Sequence, residues 1–582
     1  MRSIVYLLAG LWLTAGAVAL AEIRTDFAMD SDPELIAPDP VVLLPIKHRP
    51  LWLKALARPE VDMQRQAAEA IAEAHLLGTP DLGAAKPALL QIFTAESSHP
   101  AARWAAARAL IALEARESAD TLFAVSQKYG TDLRQLIEPA LANWKYQPIS
   151  KVWQQRLDAS ETRHRDLILA IDGAQTMSDS SMIPALLLIV HDPLRPSGTR
   201  LAAARAAGQI QHSGFGVEAD KLLAPPAPSM VNRLCAASLL TQHRNQTEHS
   251  LLIRLAQDEE PTIAAVALTT LNATDPQLIL PIGEQVLSNR DANVRLQGVA
   301  TYVTLATPDR AARLARLLDD PHSGVRSQVR ERLFVLAKVA ELQASIIPVA
   351  TDVVAGDSWR GQEQAAMLLA ALDHKPAAAR LVQLMNSPRG EVIVATAWGL
   401  RKLAVQDTLP AILEKVRQEL ELRSKAGTPS QAADAQVGFL CEALGLMKYA
   451  PADPVLRGYV PKNLLLGELT RGGAIWALGH LHAGKSDEAL AQLMTARLTE
   501  PASVIPMEVF RVRHACAISL GRMQAKSQVE PMRKYLGNNI ASLDVTSMAI
   551  RWSIHELTGE TFPEPERPVV GAKAKWFLEQ LD

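Results

Sequence analysis

Cysteine is scarce in this chain. The 582 residues hold three, Cys235, Cys441 and Cys516, separated by 206 and 75 positions. A disulfide framework needs more, and the lack of Cys-x-x-Cys or Cys-x-x-Cys-His excludes covalent haem and most zinc sites. Each cysteine falls in a helical pattern of its own, where it reads as a small buried side chain. Aromatic residues are also few, 4 % of the chain against 48 % hydrophobic. The apolar share is mostly Ala, Leu and Val, which suits closely packed helices better than a strand-rich fold. A surplus of either charge is missing too, since 60 Lys and Arg stand against 62 Asp and Glu. Without a basic excess there is no electrostatic case for a nucleic-acid partner. Gly-x-Ser-x-Gly, His-Glu-x-x-His and dinucleotide fingerprints do not occur. No residue is therefore assigned a catalytic, cofactor-binding or metal-ligating role.

What is present begins at the N-terminus. "MRSIVYLLAGLWLTAGAVALA" has an early Arg2, an apolar run from Ile4 to Leu20 and the small-residue triplet Ala19-Leu20-Ala21. That is the layout of a secretory signal peptide cut after Ala21. An uncleaved anchor is the other reading, because the run sits at the short edge of spanning length. Residues 1–21 are thus expected to be a signal peptide, followed by an extended segment over 22–50. The expected location is the periplasm, the cell surface or the extracellular space, with no stable membrane insertion after cleavage.

The rest of the chain repeats. In "RGGAIWALGHL", with Arg471 as offset 0, small or apolar residues occupy offsets 3, 6, 7 and 10: Ala474, Ala477, Leu478 and Leu481. The template recurs from Arg103, Arg134, Arg200, Arg233, Ala264, Arg295, Arg326, Gln362, Ile393, Val437, Arg513 and Ser547, and more weakly from Gln64 and Leu167. That makes about fifteen copies, and fixed periods of this length mark stacked repeats. Four of the steps between Arg200 and Ile393 are 31 residues long, whereas those of 44 and 42 carry insertions. One insertion, Ser424–Gln436, reads as a loop. Each period holds a second apolar helix, often with an early proline (Pro184, Pro281, Pro348, Pro410, Pro531), a residue tolerated in a first helical turn.

The pattern Arg-x-x-Ala-x-x-Ala-Leu-Gly-x-Leu resembles bacterial HEAT repeats, including those of phycobilisome-lyase-like proteins. The resemblance spans nearly all of the chain after its leader. It implies an all-α fold, an α-solenoid of about fifteen helix pairs over residues 51–557, with a capping segment over 558–582. In resembling repeats the offset-0 arginine ladders to turn carboxylates of adjacent units, for which Asp258, Asp291, Asp319 and Asp320 are suitable. An anion-binding stripe is the rival reading of that row.

Helix geometry, at about 100° per residue, places offsets 3, 6, 7 and 10 on one core stripe. Glycine at offset 8 (Gly208, Gly445, Gly479, Gly521) is expected where backbones approach closely. Offset 5 points away from the core and carries Trp398, Trp476 and Trp552, with Glu442 and Ile518 between them. Spaced by about 20 Å, these rings form either a broken binding row or a packing feature. His480, one turn after Trp476, and His514 could join the polar rim of the same face. His480 and His482 stand too far apart around one helix to share a metal.

These readings converge on an exported scaffold that binds protein partners through its concave helix-B face, the one expected to carry Trp398, Trp476, Trp552, His480 and His514. The partner and the oligomeric state are left open. The alternatives are a cofactor- or chromophore-handling lyase-like protein and an accessory subunit of an exported redox enzyme.

Overall fold

The computed structural model describes residues 23–35, 41–43, 48–225, 228–423, 429–501, 503–537, 543–563 and 569–571. Among them thirty α-helices follow one another, joined by turns and short 3₁₀ segments. One parallel pair of three-residue strands, Val41–Leu43 with Val569–Gly571, is the only β-structure among the described residues. The leader expected over 1–21 and most of the capping segment expected over 558–582, residues 564–568 and 572–582, lie outside the described residues.

All fifteen template copies begin inside α-helices, from Val61–Leu76 to Val545–Thr558, and the copy from Arg233 runs furthest past its helix, which ends at Leu239. The chain divides into two compact units. One comprises residues 39–301 with those from 567 onward, and the other joins the N-terminal residues up to 38 to residues 302–566. In the first, template helices from Val61–Leu76 to Pro261–Thr274 stack in chain order. In the second, seven do so: α1 (Ser323–Leu336), α2 (Trp359–Ala371), α3 (Gly390–Leu403), α4 (Gln431–Leu446), α5 (Glu468–Leu481), α6 (Phe510–Arg522) and α7 (Val545–Thr558). The chain is a solenoid because one helix pair cannot cover its own apolar stripe. On α6 that stripe, Cys516, Ser519, Leu520 and Met523, is wholly buried, as are Ala474, Ala477 and Leu478 on α5. Each buried leucine contributes about 2 kcal/mol.

Small residues set the spacing. A Cβ on Gly445 of α4 would lie 2.6 Å from the Cα of Ala477 on α5, so only glycine permits this approach. Seven of the template helices also share an ending that the repeat alignment does not reveal. At offset 11, Glu114, Lys145, Ser178, Asp373, Ala404, Lys448 and Gln524 all adopt left-handed backbone with φ between 47° and 60°. In most of them the next N–H returns to the carbonyl five residues back, as in Tyr449 to Leu444 and Ala525 to Leu520. This is a Schellman-type cap built without glycine.

Three sequence expectations need correction. Pro348 lies in the middle of the helix Ala340–Ala355 rather than in its first turn. The good helix formers upstream, Ala340-Glu-Leu-Gln-Ala, start that helix early enough to enclose the proline. The loop expected over Ser424–Gln436 gives way to helix at Gln431, where the Ser430 hydroxyl accepts from the Ala433 N–H as an N-cap. The arginine ladder is mainly a carbonyl ladder. Arg103 donates to Phe93 and Ala95, Arg200 to Val190, Arg326 to Asp320 and Arg513 to Glu500, in each case to main-chain oxygens where the partner helix ends. Those terminal oxygens lack intrahelical donors, and a cation there also suits the helix dipole. Carboxylates join in at Arg134–Asp166, Arg233–Asp258 and Arg471–Glu508. Asp291 and Asp319 instead accept main-chain N–H groups at the starts of helices.

The cysteines are free and buried. Burial drives the Cys235 thiol up to about 11 and Cys516 up to about 12, and it raises Cys441 as well.

Candidate interaction face

The offset-5 row lies on helices α3 to α7, and the structure shows what lies over part of it. Trp476 has no exposed surface, although its position points away from the helix-pair core. It is covered by the chain's own N-terminal segment, residues 23–35. Within the second unit this segment runs along the template helices from α1 to α6 as an extended strap with one short 3₁₀ turn, Ala28–Asp30.

The strap begins at Ile23, whose N–H donates to Glu331 of α1 at 2.9 Å. Arg401 of α3 donates to the Asp26 carbonyl at 2.7 Å and pairs with Glu442 of α4. The Phe27 ring stacks on Phe439 with centroids 4.0 Å apart and planes 6° from parallel. Met29 is buried, and its N–H donates to the Glu442 carboxylate at 2.8 Å. Asp30 accepts from Nε and Nη2 of Arg511 at 3.0 Å, while Nη1 of the same guanidinium donates to Glu468 at 2.9 Å. The Asp32 carbonyl accepts from Trp476 Nε1 at 3.0 Å and from Arg522 at 2.9 Å. The Asp32 carboxylate lies 2.7 Å from Arg522 and 3.2 Å from His480 Nε2.

Local sequence explains why the strap fits. Gly472, the first glycine of "RGG", faces Met29: a Cβ there would come within 3.0 Å of the sulfur. Gly438 does the same for the Phe27 ring, again at 3.0 Å. The second glycine, Gly473, serves helix packing, since a Cβ there would lie 2.8 Å from the Gly438 carbonyl oxygen. One dipeptide thus holds one residue for the strap and one for the core.

The electrostatics follow from burial. Glu442 is fully covered, and desolvation pushes its carboxyl above the usual range despite the opposing charge of Arg401. Desolvation lowers His480 to about 4, with Arg522 adding to the shift and Asp32 opposing it. His514 is lowered by burial too, and its Nδ1 lies 3.3 Å from the Val545 carbonyl. Trp398 is also buried, not accessible. Trp552 is half-buried, with its ring edge 2.9 Å from where a Cβ on Gly521 would stand. The structure therefore gathers Trp476 and His480 around Asp32 and leaves Trp552 packed against the neighbouring helix. His482 turns elsewhere, to Asp453 at 2.5 Å. Among the described residues, no three His, Cys, Asp or Glu side chains cluster as a metal site.

Arg401, Arg511, Arg522 and Phe439 complete the face and were not singled out from the sequence. Phe439 occupies offset 2, where the template shows no pattern, and Arg401 occupies offset 8, where Gly208, Gly445, Gly479 and Gly521 stand in other copies.

No family model and no curated protein matches the chain. Solved structures do. Kap95p, in the structure where its binding induces the switch loops of RanGDP to adopt the GTP-bound conformation, superposes with a TM-score of 0.54 at 13 % identity. That match covers 88 % of this chain and 72 % of that one. The Kap95:Nup1 complex gives 0.51 at 12 % identity, and importin beta crystallised in an ammonium sulfate condition gives 0.50 at 12 %, both with the same coverage. The chain is a HEAT-type α-solenoid. At such low identity the likeness concerns the fold alone.

Proposed function

We propose that this HEAT-type solenoid is an exported scaffold that binds protein partners through the face formed by α3–α7. The observation that carries the reading is the strap itself. The face already holds thirteen residues of extended chain, by apolar pockets, arginine–carboxylate pairs and hydrogen bonds to the strap's main chain. Those are the means by which a peptide from another protein is recognised. Export rests on the leader-like N-terminus, and the strap starts two residues beyond the proposed cut. Among the described residues no helix is long and apolar enough to cross a membrane.

The test is fractionation of cells producing the tagged full chain, followed by cross-linking and mass spectrometry. The expected result is a processed chain outside the cytoplasm, with cross-links to a defined protein concentrated on α3–α7. A chain retained in the cytoplasm would sink the export half. Cross-links no more frequent than in an untagged control would sink the scaffold half. A pigment or metal retained stoichiometrically through purification would instead favour the cofactor-handling alternative.

A further inference from the structure

We propose that the face of α3–α6 is a docking site for an acidic extended peptide of the pattern Phe-x-Met-Asp-x-Asp, and that residues 23–35 are its resident, displaceable occupant. This deepens the scaffold reading and rests on it. The partner is a protein segment with an aromatic ring, a flexible apolar side chain two positions on, and carboxylates three and five positions after the ring.

The strap is built like a ligand rather than like a core element. Of its thirteen described residues only Ile23 and Met29 are buried, and Phe27 is half-covered. Both acidic anchors remain open to water, Asp30 with 41 % and Asp32 with 46 % of the side-chain surface exposed. Ion pairs in that setting are screened and individually weak. They select a partner and are readily exchanged.

The face divides recognition between main chain and side chain. Arg401, Glu442, Trp476 and Arg522 bond to strap carbonyls or an N–H, groups that any extended peptide presents. Side-chain selectivity falls on four positions. Phe439 stacks against an aromatic ring, Gly472 leaves room for an unbranched apolar chain, and Arg511 and Arg522 each take a carboxylate. Arg401 is already matched by Glu442, whereas Arg511, which also touches Glu468, and Arg522 supply the positive charge that meets the strap's carboxylates. A strap attached through one end competes with any partner at high effective concentration, so the site is held closed until a better ligand arrives.

The experiment uses the full chain carrying Phe27→Asp and Asp32→Ala, which weakens the strap without altering the solenoid helices. The probe is a fluorescein-labelled synthetic peptide of residues 22–35, read by anisotropy. The opened chain should bind it saturably, at least tenfold more tightly than the wild type, whose site is filled. Exchanging both peptide aspartates corresponding to Asp30 and Asp32 for lysine should abolish binding, as should Arg511→Glu in the opened chain. An opened chain that melts like the wild type and does not bind the peptide would overturn the proposal. So would equal binding by opened and wild-type chains, which would place the peptide elsewhere. Exchange of straps between copies in a concentration-dependent dimer, with no peptide bound by the monomer, would overturn it in favour of a second copy as occupant. Should the double variant misfold, a protease site inserted between residues 36 and 40 of the wild type allows the strap to be cut free after folding. Its displacement by excess unlabelled peptide then decides the question, and a strap that never exchanges refutes displaceability. Failed peptide binding with intact cross-links on α3–α7 would remove this inference and leave the scaffold reading standing.

Discussion

Alanine at Gly472 and alanine at Gly473 should have opposite consequences, although the residues are neighbours on α5. Alanine is better than glycine by about 1 kcal/mol in a helix interior, so both substitutions start from the same gain. At Gly473 the new methyl would lie 2.8 Å from the Gly438 carbonyl oxygen and 3.2 Å from its Cα. These are backbone atoms of α4 and cannot swing aside, so the two helices must part. Overpacking against a rigid neighbour costs about 3 kcal/mol at the upper end of its usual range, leaving a net loss of about 2 kcal/mol. At Gly472 the nearest atoms are the Met29 sulfur at 3.0 Å and Arg511 Cγ at 3.1 Å, both on flexible side chains. There α5 keeps its gain, and the strain falls on the strap. Urea unfolding followed by circular dichroism should give a lower midpoint for Gly473→Ala and an unchanged or higher one for Gly472→Ala. Hydrogen exchange on the same samples should show faster exchange at residues 28–32 in Gly472→Ala. A Gly473→Ala chain as stable as the wild type would refute the argument. A Gly472→Ala chain equally destabilised, with strap protection untouched, would refute it too.

Glu442→Leu alone should destabilise the chain by about 3 kcal/mol, because Arg401 keeps a largely buried charge without its partner. Adding Arg401→Met should recover most of that loss in the same urea titration, and a double variant as unstable as the single would argue against the pair. Ala404→Gly should stabilise by about 1 kcal/mol, since φ of 50° at the end of α3 penalises a Cβ; a lowered melting temperature would count against the cap. His480 is held neutral in the folded chain at about 4, below its ordinary 6.5. Its contribution to stability is therefore complete above about pH 6.5 and lost as pH falls toward 4, at up to about 1.4 kcal/mol per pH unit. Melting temperatures measured from pH 7 to pH 4.5 should fall less steeply in His480→Gln than in the wild type; identical slopes would show that His480 does not couple to folding.

The fold was legible because a repeat states the same packing problem about fifteen times, and the answer must satisfy every copy. Offsets 3, 6, 7, 8 and 10 are mostly core or close-approach positions, which favour small or apolar side chains, so composition at most of them follows geometry. The helix ends were less legible. Offset 11 holds Glu, Lys, Ser, Asp, Ala and Gln, and a left-handed residue that is not glycine leaves no compositional trace. The offset-0 arginines misled for a related reason. Their main acceptors are backbone oxygens, which every residue has, so no side chain in the sequence marks where they point.

The interaction face was half visible. An offset-5 position points away from the helix-pair core, so a tryptophan there raises the question of what covers it. For Trp476 the cover comes from residues 444 positions earlier, and no periodicity within the repeats can point that far. The better clue is Glu442, in the same row. A carboxylate flanked by Cys441 and Ala443 in an apolar helix has to find donors, since burying an unpaired charge costs several kcal/mol. The second donor it finds besides Arg401 is the Met29 N–H, a main-chain group from outside the repeats. A charged residue in a row otherwise filled by Trp398, Trp476, Ile518 and Trp552 therefore marks the point where the solenoid expects a peptide backbone, and the strap supplies one.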